Sequence, residues 1–183
     1  MSLSADPAGP LTSLETLLAL RDGWRAAGKT VVLTNGAFDL LHAGHVGYLA
    51  AARALGDLLI VGLNSDASVR AYKGPLRPLV PEAQRAAVLA ALRSVDYVTL
   101  FETPTAEPLV EAMRPDIYAK GGDYAHPAGG AGKELPEARI VLAHGGRVEL
   151  IDYAEGLSTT ALLERVVATF RVQGSGVRGQ DQQ

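Results

Sequence analysis

His42 and His45 stand three apart in the text His42-Ala43-Gly44-His45, at the expected start of a helix. At that spacing they share one face of the helix's first turn. Just upstream lie a short apolar run, Val31 to Thr34, and the turn residues Asn35 and Gly36. A strand that stops at Asn-Gly and feeds a helix brings backbone amides and the positive end of a helix dipole to one point, which suits an anion. Two imidazoles there can follow charge onto a leaving pyrophosphate, and Gly44 leaves room for phosphate. The expected ligand is a nucleoside triphosphate. The bland alternative is a pair of histidines capping a helix by chance. A zinc pair is disfavoured, because helical metal pairs prefer the spacing of H-E-x-x-H and neither acidic nor cysteine ligands cluster nearby.

Those residues need a scaffold, and the composition favours a soluble, helix-rich α/β protein. The 183 residues are 48% hydrophobic, 20% charged and 5% aromatic, which fits one domain with a real core. A net charge of -3 gives no general basic field, so no nucleic-acid partner is expected and any polyanion must be held locally. With no cysteine, disulfides and thiol nucleophiles are excluded. No apolar segment approaches the roughly 20 residues of a membrane span and no leader pattern opens the chain, so the expectation is a cytoplasmic protein without a membrane partner.

Read in order, residues 1–11 are expected to be a flexible arm. Thr12 with Glu15 is a capping box opening a helix that ends near Gly28. Strands are expected at Val31–Thr34, Leu58–Leu63, Tyr97–Leu100, Asp116–Ala119 and Arg147–Ile151. Helices are expected at Val46–Leu55, from Pro81, from a Thr105 cap to Met113, at Pro136–Ala143, and from Ser158 to about Phe170. Ala67 to Val80 reads as an irregular loop over a site, and 171–183 as a flexible tail. Strands alternating with helices specify a Rossmann-like, doubly wound, five-stranded parallel sheet in a single domain, residues 12–170. Ligands in such sheets sit outside the carboxyl ends of the strands, where Asn35-Gly36, Asn64-Ser65-Asp66, Lys120-Gly-Gly-Asp123 and Gly156-Leu-Ser158 all fall.

The text "TNGAFDLLHAGHVGYLAAARALGDLLIVGLNSD" resembles the HxGH nucleotidyltransferase superfamily. The later segments "KGPLRPLVPEAQR", "VDYV", "RPDIYAKGGDY", "GGRVEL" and "GLSTT" are similar, in the same order, to the adenylyltransferase half of bifunctional ADP-heptose synthases. The resemblance runs from about residue 12 to 168. It implies transfer of AMP from ATP to a sugar 1-phosphate, D-glycero-D-manno-heptose 1-phosphate, with release of pyrophosphate. It also implies Mg²⁺ travelling with ATP and no dedicated protein metal site, a homodimer, and a sugar kinase acting upstream. That kinase is expected to be a separate protein, this chain standing alone. The rival readings are a cytidylyltransferase acting on glycerol 3-phosphate or a similar polyol phosphate, and a non-catalytic nucleotide-binding module. Tyr153-Ala154-Glu155, where related cytidylyltransferases carry an arginine-threonine pair, weighs against the first rival.

In the family's pattern His42 and His45 contact the triphosphate, and the backbone of Asn35, Gly36, Ala37 and Phe38 cradles it. Lys73 matches lysines that reach phosphates as mobile charges, the alternative being a solvated loop lysine. Arg77 is a similar case for the sugar phosphate. Arg85 matches an arginine near the nucleotide pocket, against a surface helix arginine. Asp39 and Asp66 can bind substrate or orient a histidine, although Asp39 also suits a turn carboxylate. Gly121 and Gly122 allow close approach of a base or ribose, and Asp123 and Tyr124 can bind sugar hydroxyls, against a plain strand-to-loop turn. Ser158, Thr159 and Thr160 open a helix as an anion seat for the nucleotide, with Ser158 as a simple N-cap the alternative. His126 and His144 read as loop and helix-end residues.

Overall fold

The structure is a computed structural model that describes residues 11–121, 124, 132–152 and 159–175. Five strands, β1 (Val31–Gly36), β2 (Leu58–Asn64), β3 (Tyr97–Phe101), β4 (Ile117–Gly121) and β5 (Arg147–Ile151), form one sheet in the order β3-β2-β1-β4-β5, with every pairing parallel. The helices are α1 (Leu14–Ala26), α2 (Ala43–Arg53), α3 (Asp66–Lys73), α4 (Glu82–Ala90), α5 (Glu107–Met113), α6 (Glu137–Ala143) and α7 (Thr159–Ser175). This is the expected Rossmann-like, doubly wound arrangement, and the strand order reverses between β1 and β4.

The continuous apolar strands follow from burial on both faces. In β2, Leu58 and Ile60 join a core with Leu17, Trp24, Leu109 and Ile140, so α1, α5 and α6 cover that face. Leu59, Val61 and Leu63 point the other way, into a core with Tyr48, Leu49, Ala86 and Leu89 from α2 and α4.

The β1–β4 seam differs from its neighbour. Six residue pairs join β1 to β2, whereas only Val32↔Ile117 and Leu33↔Tyr118 join β1 to β4. Past that point side chains take over: the Tyr48 hydroxyl donates to the Ala119 carbonyl at 2.9 Å and lies 2.7 Å from Thr34 Oγ1.

Several element ends differ from expectation for local reasons. Ser13, not Thr12, caps α1, its Oγ accepting from the Thr16 amide at 3.2 Å. Thr12 is instead drawn to the sheet edge, where its amide donates to Val98 O. The expected loop after β2 begins as α3: Ser65 Oγ caps it by accepting from the Ser68 amide at 3.1 Å. A helix was not apparent there because Val69 is its one fully buried apolar residue, and polar bonds from Asn64 to Ser68 and from Ser68 to Thr103 O anchor the rest. Thr105 does not cap α5; its hydroxyl donates to Glu107, and Ala106 takes the N-cap position. The last helix begins at Thr159 and continues past Phe170 to Ser175.

The close of α6 matches its glycine pattern. Gly145, at φ 79°, and Gly146 send their amides back to Leu142 O and Val141 O. A Cβ on Gly146 would sit 2.6 Å from the Pro115 carbonyl oxygen, a backbone atom that cannot swing aside. Gly146→Ala is expected to cost about 1–3 kcal/mol, measured by urea unfolding.

Candidate active site

A cleft of about 550 Å³ opens at the carboxyl ends of the strands, over the point where the strand order reverses. Its floor begins with β1. The chain leaves the sheet at Asn35 and Gly36 and turns at Phe38, which takes the left-handed conformation at φ 45°. That conformation is costly for a bulky side chain and persists where the surroundings enforce it. The Phe38 ring is buried, with its centroid 5.6 Å from that of His45.

His42 holds the N-cap position of α2, and its amide makes a long contact, 3.4 Å, to His45 Nδ1. With Nδ1 accepting, the proton of the neutral ring resides on Nε2. The two rings lie 3.9 Å apart, and His42 Nδ1 is buried without a hydrogen-bond partner among the described residues. Burial, then the nearby His42 and Lys73, lower the His45 pKa to about 4. His45 is therefore a neutral donor at physiological pH in the free protein. Burial, then Arg77, also lowers the pKa of Lys73 at the end of α3.

Beneath this wall two charged side chains lock the loops together. Asp39 Oδ1 accepts from the amides of Leu79 and Val80 at 2.7 and 3.0 Å, and Oδ2 forms an ion pair with Arg77 Nε at 2.7 Å. Arg85, 1% exposed, donates to the carbonyls of Ala37, Asn64 and Val80 at 2.6, 3.0 and 2.9 Å, and to Asp66 Oδ1 at 2.6 Å. Residues from the ends of β1 and β2 and from the segment after α3 thus converge on one guanidinium.

Across the cleft, Asn35 Oδ1 accepts from the Tyr118 hydroxyl and from Lys120 Nζ, the latter at 3.0 Å. Lys120 Nζ also lies 4.7 Å from the Tyr124 ring centroid, within cation–π range. Burial raises the pKa of the Tyr118 phenol well above its ordinary value, and Glu137 adds to the effect, so Tyr118 is a hydrogen-bond donor at neutral pH.

The cleft brings together Asn35, Gly36, Ala37, Phe38, Asp39 and His45 from the first motif. Lys73, Arg77, Tyr124 and Thr159 join them from later segments. His42, Asp66, Arg85, Gly121 and Thr160 do not line it. Arg85 is buried beneath the cleft, and the partly exposed Asp66 is turned to pair with it. Gly122, Asp123, Ser158 and His126 lie outside the described residues. His144 ends α6, as expected, and pairs with Glu111 at 3.0 Å. The lining also includes Lys120, Tyr72, Lys133 and Glu137, which the motifs did not single out. Only Lys120 carried a signal, its place at a strand end before two glycines.

Comparison with known proteins agrees with this geometry. The cytidylyltransferase-like family pattern matches residues 33–165. The chain is 51% identical over 166 residues to the Bifunctional protein HldE of Pelobacter propionicus, covering 91% of this chain and 33% of that protein. It is 54% identical over 153 residues to the protein of the same name from Syntrophotalea carbinolica, covering 84% and 30%. The chain therefore spans about a third of the length of these relatives. Among solved structures, the lipopolysaccharide core biosynthesis protein from Thermoplasma volcanium aligns with a TM-score of 0.54 and 28% identity, covering 69% of this chain and 98% of that one. Pantoate-beta-alanine ligase from Francisella tularensis, at 10% identity and a TM-score of 0.57 over 86% of this chain and 73% of its own, shares the fold. The chain belongs to the cytidylyltransferase-like family and is a nucleotidyltransferase.

Proposed function

We propose that the chain transfers the adenylyl group of ATP to D-glycero-D-manno-heptose 1-phosphate and releases pyrophosphate. The observation that carries the phosphate chemistry is His45, held as a neutral donor on the first turn of α2 in the same cleft as Lys73 and Arg77. The heptose assignment is supported by the resemblance to ADP-heptose synthases and by relatives named HldE at 51% and 54% identity.

In this reaction an oxygen of the acceptor's phosphate attacks the α-phosphorus of ATP, forming one P–O bond. The bond from the α-phosphorus to the bridging oxygen breaks, and its electron pair leaves with pyrophosphate. No protein nucleophile is needed, so catalysis consists of positioning and charge neutralisation. The Asn35–Phe38 backbone cradles the phosphates, His45 donates to the departing oxygens, and Lys73 follows them as a mobile charge. Arg77, anchored by Asp39, faces the acceptor's phosphate. Tyr124 and Thr159, which line the cleft, complete the substrate walls in this reading, and Asp123, Ser158 and Thr160 are proposed as further substrate contacts on the family resemblance alone.

Mg²⁺ is proposed to enter with ATP. Among the described residues no group of three or more histidines and carboxylates gathers to hold an ion, and an ion carried by phosphate oxygens and water needs none. When bound it supplies positive charge to the triphosphate. A homodimer is supported by α7, whose Leu162, Val166, Val167 and Phe170 remain exposed in the single chain. A sugar kinase must supply the phosphorylated acceptor. A cytoplasmic location is in keeping with helices none of which, among the described residues, is long and apolar enough to cross a membrane.

The test is pyrophosphate release from a panel of nucleotides and sugar phosphates with Mg²⁺. Turnover with ATP and the heptose 1-phosphate is expected. Activity confined to CTP and a polyol phosphate would overturn the assignment, and silence with every pair would favour a binding module.

A further inference from the structure

The cleft wall facing His45 carries a carboxylate that the phosphate chemistry leaves unused. Glu137 opens α6, is 6% exposed and lines the cleft. Its helix packs on the sheet face that holds α1 and α5, whereas the helix of His45 packs on the other face. The two groups therefore approach a ligand from opposite sides.

Glu137 Oε1 accepts from the Ala106 amide at 3.1 Å, the one hydrogen bond it makes among the described residues. A carboxylate offers roughly four acceptor positions. Neither Glu137 oxygen is among the buried atoms left without a partner, so Oε2, which makes no hydrogen bond among the described residues, is open to the cleft and free to accept from a ligand that supplies donors. A phosphate cannot do so, since it would meet like charge. A hydroxyl group can, and the Thr105 and Tyr124 side chains on the same cleft add a hydroxyl and a ring against which the C–H face of a polyol packs.

We propose that Glu137 is a specificity-determining residue that accepts hydrogen bonds from the hydroxyl groups of a polyol substrate. This chemistry has two sources in the reaction, the acceptor sugar and the ribose of the nucleotide. The inference rests on the nucleotidyl-transfer reading above, not on the identity of the acceptor.

The test compares the full chain with Glu137→Gln, which keeps an oxygen for the Ala106 amide. KM and kcat are measured for ATP, 2′-deoxy-ATP and 3′-deoxy-ATP, and for the acceptor and its singly deoxygenated analogues. Calorimetric affinities for the same set give the comparison without turnover. The wild type is expected to lose at least about tenfold in KM or affinity when the recognised hydroxyl is removed, and the Gln variant to lose most of that discrimination. A change confined to acceptor analogues assigns Glu137 to the sugar, and one confined to deoxy-ATP assigns it to the ribose. Discrimination unchanged in the Gln variant, with only a lowered Tm, would make Glu137 a pin between α5 and α6 and overturn the proposal. So would a wild type indifferent to every hydroxyl. Should Glu137→Gln not fold, Glu137→Asp, which withdraws the charge by one methylene, takes its place. If the wild type turns over a different nucleotide and acceptor, the heptose assignment fails while Glu137 is judged on the active pair.

Discussion

His45→Ala is expected to lower turnover by about two to three orders of magnitude while the protein stays folded, the loss typical of removing one donor to developing negative charge. The side chain is only partly buried, on the first turn of α2, and alanine is a good helix former, so circular dichroism should be unchanged. Steady-state pyrophosphate release is the readout, and the fall should appear in kcat more than in the KM for ATP. A second signature separates this role from a structural one. Folded His45 titrates at about 4, against 6.5 for an ordinary histidine. Between those values the unfolded chain holds a proton that the folded chain does not. This group therefore costs the native state stability as pH falls from 6.5 towards 4 and has no effect above 6.5. His45→Ala should flatten that part of the stability-against-pH curve while leaving the neutral range unchanged. A bound triphosphate works in the opposite direction: its negative charge raises the His45 pKa, so binding takes up protons in the same window. An equal pH dependence in wild type and variant would show that the ring does not titrate as described.

Arg85→Ala has the largest expected effect on stability. It removes the donors to three backbone carbonyls and to the Asp66 carboxylate in a site 1% exposed. Removing one partner of a buried charge network costs about 3–5 kcal/mol. For a chain of this size that is roughly 6 to 20 °C in Tm. Arg85→Lys is the more informative variant. One ammonium cannot span acceptors on Ala37, Asn64 and Val80, so much of the loss should persist although the charge is kept. Because Ala37 belongs to the proposed phosphate cradle, the Lys variant should also raise the KM for ATP. Thermal unfolding and kinetics on the same preparation check both effects. A Lys variant with wild-type Tm would mean that the guanidinium's geometry is unimportant.

The contrast between these two residues shows what a sequence makes legible. His45 was visible because everything that defines its place is local: an apolar strand, Asn-Gly, then a helix start within a few residues. The five strands were visible for a similar reason, since burial on both faces leaves unbroken apolar runs such as Leu58–Leu63. Arg85, expected near the nucleotide pocket, is buried directly beneath the cleft wall, where it holds the Ala37 carbonyl. Its partners are backbone carbonyls, which every residue possesses, so no pattern of residue types announces them. Glu137 escaped notice on the same ground, as its partner is the amide of Ala106. The helix α3 was hidden because hydroxyl and amide side chains, rather than an apolar stripe, secure much of it.

The short pairing between β1 and β4 gives the cleft a mechanical meaning. The ladder ends at Leu33↔Tyr118, and on the ligand side the two halves of the sheet are joined by the side chains of Tyr48, Asn35, Tyr118 and Lys120. On the proposed reading, a nucleotide lodged between His45 on one half and Lys120 on the other would act as a clasp across this split. Its binding energy becomes cohesion of the fold, about 2.7 kcal/mol at a ligand concentration a hundredfold above Kd. On that reading the substrate would supply the cohesion that the two-pair ladder between β1 and β4 lacks.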